Sequence, residues 1–436
     1  MEGNVTGKRG RRRRYAVRYM VSFIAALSCA AILFGAGIIR GWLPSAASLI
    51  SAVKANHIVY TPAPGAPFIS KQSKKLPDVY HQAKLAVVGD LMAHEEQVSG
   101  AYDKAAGGYD FNYDFRDVKE YLQSADLTIG NLETVFAGEA GGYSYYPRFN
   151  TPDAYAQAIA AAGFDMLTTA NNHANDQGEP GIFRTIDILD QNGISHIGTY
   201  KSAQARSEIK TITINNIKFA FLAYSFSTNG IPLKQGDEWS VNLLDRGLVY
   251  NDIQRAKALN PDFIIVLPHM GDEYAEQVSD KYKEWVQFMF ESGADIVLAS
   301  HPHVLQPVTF ETVTGPDGLT RDCFADYSLG NFLTAQRTAP RDEGIILNLY
   351  FEKKNDEKAY LNHVSFIPTW VEYINARGAY DVHPLPIYRI LNTPSDELGL
   401  RAKDLVRAKS AYSHILDVLL GQDNPADGVK EELFID

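Results

Sequence analysis

Cysteine is scarce in this chain of 436 residues, which contains only Cys29 and Cys323. Cys29 lies within an apolar N-terminal segment, so a disulfide between the two is not expected. Neither cysteine belongs to a CxxC or a mixed Cys/His pattern. The sequence therefore gives no support to thiol chemistry. The lack of disulfides leaves the compartment open, because a domain of this size can bury its own core.

Basic residues are also few beyond the N-terminus. Residues 41–436 contain 33 basic and 51 acidic side chains, whereas residues 1–40 contain eight basic side chains and one acidic. Such an acidic chain excludes nucleic acid as a partner held by bulk electrostatics. It also repels a polyanionic ligand, unless a metal ion or local basic groups offset the field.

The N-terminus carries the basic cluster that the rest of the chain lacks. The cluster precedes an uncharged segment at residues 19–39 and consists of Lys8, Arg9, Arg11, Arg12, Arg13, Arg14 and Arg18. As a helix, the uncharged segment would span about 31 Å, the thickness of a bilayer core. The positive-inside rule predicts a single-pass anchor in the cell membrane, with a cytoplasmic N-terminus and an extracellular main domain. A cleaved signal peptide is the alternative, since Ser45-Ala46-Ala47 supplies small residues.

With this anchor, the chain is predicted to consist of five segments. They are a basic cytoplasmic tail at 1–18, a transmembrane anchor at 19–39, an extracellular proline-containing stalk at 40–83, a main domain at 84–370, and a partly helical extension at 371–436. The stalk is expected to be extended, because Pro62, Pro64 and Pro67 cluster in it.

From residue 84 onward, apolar strand-like runs alternate with helical segments. Buried strands are predicted at residues 85–88, 127–129, 166–170, 263–267 and 296–299, and helices at residues 151–162, 181–192, 281–292 and 395–420. Asn215-Asn216 joins the runs at residues 209–214 and 218–225 in a predicted hairpin. Strands at 323–329 and 344–351 are expected to close a second sheet. The alternation predicts a layered α/β fold.

Each of the five buried strands ends in residues that bind metal. The clusters are Val88-Gly89-Asp90, Asn131-Leu132-Glu133, Asn171-Asn172-His173, Pro268-His269 and Ser300-His301-Pro302-His303. The carboxyl ends of parallel strands share one edge of a sheet, so we expect these clusters to converge. Carboxylate, amide and imidazole ligands together suit Mn, Zn or Fe. The sequence therefore predicts a hydrolytic centre with one or two divalent metal ions.

The order of these motifs resembles that of the calcineurin-like metallophosphoesterases. It is more closely similar to that of the CapA/PgsA family of poly-γ-glutamate capsule synthesis proteins. The resemblance covers residues 84–335 and rests on Gly89-Asp90-Leu91-Met92, Asn131-Leu132-Glu133, Ala170 to Asp176, His301 to Gln306 and Tyr327 to Phe332. It implies a four-layer α/β/β/α metallophosphoesterase-like sandwich, here preceded by one transmembrane helix.

The resemblance also implies roles for individual residues. The metal ligands would be Asp90, Glu133, Asn172, His269, His301 and His303. His173 would protonate a leaving group, and Asp176 would either orient it or stabilise the turn. The first motif departs from the usual Asp-x-His, because Met92 replaces the histidine; His94 is a candidate replacement. The second motif has Glu133 where aspartate is usual.

Two further residues are candidates for substrate binding. Arg148, beside Tyr145 and Tyr146, can hold a phosphate or carboxylate bidentately, although a solvated loop arginine is the alternative. Asn331 can line the site or simply form a turn.

Three functional hypotheses follow. The leading one is a membrane-anchored, extracellular, metallophosphoesterase-like protein in the biosynthesis or export of poly-γ-glutamate or another anionic envelope polymer, with membrane synthase subunits as partners. The alternatives are an extracellular metal-dependent phosphodiesterase or phosphatase that acts on envelope substrates, and a non-catalytic subunit that holds the polymer. The expected chemistry of an active centre is metal-assisted hydrolysis.

Overall fold

The computed structural model describes residues 78–432, apart from residue 317 and residues 377–378, 395–396 and 422–428. The predicted cytoplasmic tail, the anchor and the stalk as far as residue 77 lie outside these residues. In the part of the chain that is described, no helix combines the length and the apolar character needed to cross a membrane.

Strands and helices largely alternate as far as residue 298, and strands follow one another from there to residue 386. The strands are β1 (Tyr80–Leu91), β2 (Tyr102–Asp103), β3 (Gly108–Tyr109), β4 (Leu127–Leu132), β5 (Met166–Thr168), β6 (Ser195–Ile197), β7 (Lys210–Ile214), β8 (Ile217–Ser225), β9 (Phe263–His269), β10 (Ile296–Leu298), β11 (Val308–Thr314), β12 (Thr320–Asp326), β13 (Asn331–Leu333), β14 (Glu343–Lys354), β15 (Tyr360–Ala376), β16 (Ala379–Pro386) and β17 (Val429–Glu431). The helices are α1 (Glu95–Ala101), α2 (Lys119–Gln123), α3 (Ala154–Ala162), α4 (Gly178–Gln191), α5 (Ala203–Ser207), α6 (Arg246–Ala258), α7 (Asp280–Ser292), α8 (Ile387–Asn392) and α9 (Ala402–Leu420). The five predicted buried strands therefore form where the apolar runs indicate them.

Two mixed sheets organise these elements. The first has the order β16-β15-β14-β1-β4-β5-β6, with β13 also paired to β1 and β17 to β15. The second has the order β11-β12-β10-β9-β8-β7. β1, β4, β5 and β6 are parallel, as are β8, β9, β10 and β12. Their carboxyl ends therefore share one edge within each sheet.

The sheets pack face to face, with helices on their outer faces. On β1, Leu85 belongs to the core between the sheets, whereas Ala86 belongs to the core beneath α3 and α4. On β9, Ile265 lies in the central core and Val266 in the core beneath α6 and α7. Successive side chains of a strand point to opposite faces, so strands covered on both sides need unbroken apolar runs. The layers follow the order α/β/β/α.

The predicted hairpin is confirmed by β7 and β8. Asn215 and Asn216 have φ angles of 45° and 68°. A two-residue type I′ turn requires positive φ at both central positions, and asparagine tolerates this region better than most residues.

The predicted assignment of residues 344–351 to the second sheet is wrong. The run at residues 344–351 forms β14, which pairs antiparallel with β1 in the first sheet and does not close the second. Ile345 belongs to the central core and Ile346 to the core under α3. A strand that is apolar on both faces fits the middle of either sheet, so its pattern does not select one.

The C-terminal part adds strands to the same sheet. The boundary predicted at residue 370 lies within β15, and β16 and β17 flank that strand. The helix expected from residue 395 begins at Ala402 as α9, where Arg401 and Asp404 form a capping box.

Gly89, next to the candidate ligand Asp90, lies against the backbone of Gly330 in the loop between β12 and β13. A Cβ atom at residue 89 would lie 1.9 Å from the carbonyl oxygen of Gly330. The amide of Asp90 donates to that same oxygen at 3.1 Å. The close approach of the two backbones therefore depends on glycine.

We expect Gly89→Ala to lower the free energy of unfolding by about 1–3 kcal/mol, because the methyl group forces the two backbones apart. Urea denaturation of the full chain would measure the change. Gly108→Ala is the control, since no atom lies within 4 Å of a Cβ at residue 108. Equal losses in the two variants would contradict the steric explanation.

Candidate metal centre

Side chains from both sheets meet in one buried cleft. Asp90 is the last residue but one of β1, Glu133 follows β4, and Asn172 lies in the loop after β5. The second sheet contributes His269 at the end of β9 and the loop after β10. The exposed fractions of the six predicted ligands are 0% for Asp90, 0% for Glu133, 2% for Asn172, 1% for His269, 3% for His301 and 3% for His303. The structure thus brings all six together.

The ligand atoms fall into two sets that share one carboxylate. The sets are Glu133, His269 and His301, and Asp90, Glu133 and His303; within each set the atoms lie within 4.8 Å of one another. Asn172 Oδ1 lies 2.8 Å from His269 Nε2 and so adjoins the first set. The arrangement offers two neighbouring groups of metal-binding atoms that share Glu133. The second set has one protein ligand fewer, in line with Met92 in place of a histidine.

The Glu133 carboxylate is buried among three imidazole nitrogens. Neither of its oxygens has a hydrogen-bond partner among the described residues. Its Oε1 lies 3.6 Å from His269 Nε2, 3.7 Å from His303 Nε2 and 4.0 Å from His173 Nε2. Burial and then the negative charge of Asp90 raise the pKa of Glu133 well above its usual value. A buried, unpaired carboxylate is costly, and a divalent ion would offset that cost.

The imidazoles of the cleft are suited to accept such an ion. Burial, followed by the charges of neighbouring histidines, lowers the pKa of His269 well below its usual value. Burial lowers the pKa of His301 to about 3, and His301 Nδ1 has no hydrogen-bond partner in the described chain. Neutral imidazole is the metal-binding form, so the residues present fit divalent Mn, Zn or Fe.

A network of amides holds the ligands in place. Asn131 Nδ2 donates to Asp90 Oδ1 at 2.8 Å, and the same nitrogen lies 3.1 Å from His269 Nδ1. Thr168 donates to Asn131 Oδ1 at 2.8 Å. His303 Nδ1 lies 3.0 Å from Asp90 Oδ2. Such outer contacts orient metal-binding side chains. Asn131 belongs to a strand-end cluster in the sequence, but only the structure shows that it joins the two sheets.

His173 and Asp176 form a pair beside the ligands. His173 Nδ1 lies 2.8 Å from Asp176 Oδ2, which also accepts the Phe149 backbone N–H at 2.7 Å. His173 lies in neither ligand set, and its Nε2 is directed towards the Glu133 carboxylate. The carboxylate therefore orients the imidazole, with Nε2 turned to the cleft. Their catalytic roles remain predictions.

The two predicted substrate-binding residues have protein partners. Arg148 is exposed, and its Nε donates to the backbone oxygen of Asp176 at 2.8 Å. Asn331 is fully buried; its Oδ1 lies 3.1 Å from His303 Nδ1, and its Nδ2 donates to the Arg341 carbonyl at 2.8 Å. Contact with substrate remains a prediction for both.

The candidate replacement for the missing histidine lies outside both ligand sets. His94 Nδ1 accepts the backbone N–H of Ala335 at 3.3 Å, and its ring packs edge-on against Phe149. Burial lowers the pKa of His94 to about 4. Met92, in the position of the usual histidine, is buried with its sulfur 3.9 Å from Thr334 Oγ1.

The loop after β9 supplies a residue that sequence patterns miss. Glu273 is exposed, and its carboxylate forms a third set of nearby ligand atoms with His301 and His303. Those two histidines have φ angles of 110° and 59°, a region that non-glycine residues rarely adopt. Strained backbone of this kind concentrates at functional sites. Glu273 ends no strand, so the strand-end pattern does not indicate it.

Together, the α/β/β/α layers and the buried carboxylate–imidazole cleft define a layered α/β protein with a candidate metal centre where its two sheets meet. The chain also matches the model of the bacterial capsule synthesis protein family PGA_cap over residues 84–336, more than half of its length, and it belongs to that family. The resemblance to the CapA/PgsA family is thereby confirmed.

Two named relatives carry similar sequences. The capsule biosynthesis protein CapA of Bacillus anthracis is 28% identical over 275 residues, which cover 60% of this chain and 62% of that protein. The PGA biosynthesis protein CapA of Bacillus subtilis (strain 168) is 25% identical over 326 residues, or 73% of this chain and 76% of the relative. The similarity thus spans less than two thirds of the Bacillus anthracis protein.

Solved structures in which part of the chain follows a similar path include a nucleotidase and a calcineurin-like phosphoesterase. Haemophilus influenzae NAD nucleotidase has a TM-score of 0.41 and 12% identity, covering 81% of this chain and 57% of its own. The calcineurin-like phosphoesterase YfkN of Bacillus subtilis has a TM-score of 0.38 and 14% identity, covering 78% and 99%.

Proposed function

We propose that this protein is a metal-dependent hydrolase of capsule biosynthesis, which acts outside the cell on poly-γ-glutamate or another anionic envelope polymer during its synthesis or export. Family membership supports the capsule role. The basic cluster before residues 19–39 supports attachment to the cell membrane with the metal centre outside, and membrane synthase subunits are the proposed partners.

One observation carries the proposal of a hydrolytic centre. The buried Glu133 carboxylate has no hydrogen-bond partner among the described residues, and three imidazole nitrogens lie within 4.0 Å of its Oε1. An apolar or amide side chain would fill this position at lower cost if the cleft only had to fold. A carboxylate retained here indicates that the centre binds cations.

The residues of the chain would divide the chemistry between them. Asp90, Glu133, Asn172, His269, His301 and His303 would hold one or two divalent ions. When bound, these ions would lower the pKa of water and stabilise developing negative charge. His173 would donate a proton from Nε2 to the leaving group, since Asp176 occupies Nδ1 and stabilises the imidazolium form. The buried walls of the cleft would limit access of bulk water.

A complementation experiment tests the proposal. In a strain without the gene, plasmids encoding the wild-type chain or His363→Ala should restore surface γ-glutamyl polymer, whereas Glu133→Gln and His173→Ala should not. His363 is a suitable control because its ring stacks on Tyr350 of β14, away from the ligand sets. Immunoblots would confirm equal amounts of each protein.

The other outcomes are equally informative. Unchanged surface polymer after deletion of the gene would refute the capsule role. Full restoration by both Glu133→Gln and His173→Ala would show that the protein holds the polymer without hydrolysing it.

A further inference from the structure

An arginine stands beside the metal centre on an aromatic support. Arg341 is half-buried, and its guanidinium carbon lies 3.4 Å from the centre of the Tyr274 ring. That ring is 6.0 Å from the ring of His303. The backbone carbonyl of Arg341 also accepts the Asn331 amide at 2.8 Å, and Asn331 contacts His303. The side chain and the backbone of Arg341 therefore each contact a residue that lies beside His303.

The charge of this arginine is not neutralised within the described chain. Comparable half-buried arginines are paired with carboxylates: Arg206 with Asp252, and Arg407 with Asp342 and Glu343. The Arg341 side chain forms no ion pair or hydrogen bond with any described residue; its contact is the stack on Tyr274. Glu273, the residue before Tyr274, groups instead with His301 and His303. A cation held in this way is available to an anion from outside.

Stacking on tyrosine leaves the binding edge of the guanidinium usable. The planar group covers the ring with its face, so its in-plane N–H groups can still donate as a fork to two oxygens. The support itself is firmly placed, because the backbone N–H of Tyr274 donates to Pro302 O at 2.7 Å with Tyr274 at a φ angle of 66°. The loop that carries the aromatic support is therefore joined to the His301-Pro302-His303 segment.

We propose that Arg341, held on Tyr274, forms an oxyanion-binding subsite that takes a carboxylate or phosphate of the substrate bound at the metal centre. The proposal rests on the proposed function for the presence of an anionic substrate. It also resolves an electrostatic difficulty, since a chain with 51 acidic and 33 basic side chains after residue 40 needs a local cation to admit an anion. Arg148 is less suited, because its guanidinium already donates to Asp176 O.

Calorimetric titration of the full chain, loaded with Mn²⁺, tests the subsite. The probes are inorganic phosphate, a γ-glutamyl oligomer, and the same oligomer with its carboxylates converted to amides. Arg341→Ala should weaken the better-bound anion about 10–100-fold, the range expected for a charge-assisted hydrogen-bonded pair. Arg341→Lys should recover only part of this loss, because lysine lacks the planar fork. Affinity for the amidated oligomer should not change.

Arg337→Ala is the matched control. Arg337 lies four residues away and also stacks on a tyrosine, with its guanidinium carbon 4.2 Å from the Tyr373 ring, but it is exposed. Tyr274→Ala should mimic a good part of the Arg341→Ala loss, whereas Tyr274→Phe should not. Circular dichroism would confirm that each variant is folded.

The outcomes separate this subsite from the proposed function. Equal affinities of Arg341→Ala and wild type for both anions would overturn the subsite, even if binding still depended on Mn²⁺ and Glu133. Binding that depends on Arg341 but not on Mn²⁺ or Glu133 would support the subsite and refute the metal centre as its partner. Failure of the wild-type chain to bind either anion would refute both. Preference for phosphate or for the oligomer would identify the source of the oxyanion.

Discussion

Glu133→Gln is expected to lower the affinity for divalent metal by more than about 100-fold, beyond the 10–100-fold that loss of an outer contact typically costs. Glu133 belongs to both ligand sets, so its replacement removes a charged ligand from each. Elemental analysis after dialysis, and competition with a chelator of known affinity, would measure the change. Glu273→Gln is the matched control: it removes an exposed carboxylate beside the same histidines and should have a much smaller effect.

The same variant should change how stability depends on pH in the metal-free protein. The native pKa of Glu133 is raised. Its favourable contribution to the free energy of unfolding is therefore complete below about pH 4.3 and is lost as pH rises towards the native pKa. His269 and His301 act in the opposite direction, because their native pKa values are lowered: their contribution is complete above about pH 6.5 and is lost on acidification.

Above about pH 6.5, Glu133 is therefore the one of these three groups whose titration determines whether stability rises or falls with pH. The metal-free wild type should lose stability as pH rises, and Glu133→Gln should lose less. Some slope should persist, since burial also raises the pKa of Asp326 to about 8. Urea midpoints at several pH values, with chelator present, would test this. A variant with the same pH slope as wild type and undiminished metal affinity would refute the assignment of Glu133.

His173→Ala is expected to reduce kcat about 10²–10⁴-fold, the usual contribution of a general acid. Metal content should stay at the wild-type level, because His173 lies in neither ligand set that contains Glu133. Hydrolysis of a chromogenic phosphodiester by the Mn²⁺-loaded full chain is the assay, and His363→Ala is the control. Loss of metal in His173→Ala would instead make His173 a ligand, and unchanged kcat would remove it from the mechanism.

Asp176→Asn separates orientation from proton donation. Its amide still reaches His173 Nδ1 and the Phe149 backbone, but it no longer stabilises an imidazolium. We expect a smaller loss of kcat than for His173→Ala, with the alkaline limb of the pH profile moved to lower pH, because a general acid acts only while it is protonated. An unmoved pH profile would indicate that Asp176 only stabilises the turn.

Local patterns were sufficient for much of the fold and most of the centre. The apolar runs before Asp90, Glu133 and His269 form β1, β4 and β9, and the rule that parallel strand ends share an edge places these side chains together. The pattern was insufficient for β14, which is apolar on both faces and therefore fits either sheet. It also gave no signal for Glu273, because loop residues follow no strand or helix period.

What the sequence alone determined is the set of residues at the strand ends, together with the family, since both depend on short runs and motifs that neighbouring residues define. Only the tertiary structure decided that Glu133 is common to two ligand sets and that Asp176 orients His173. It also decided that Arg341 rests on Tyr274 beside the centre. These relations depend on how two separate sheets and their loops pack, which no local period encodes.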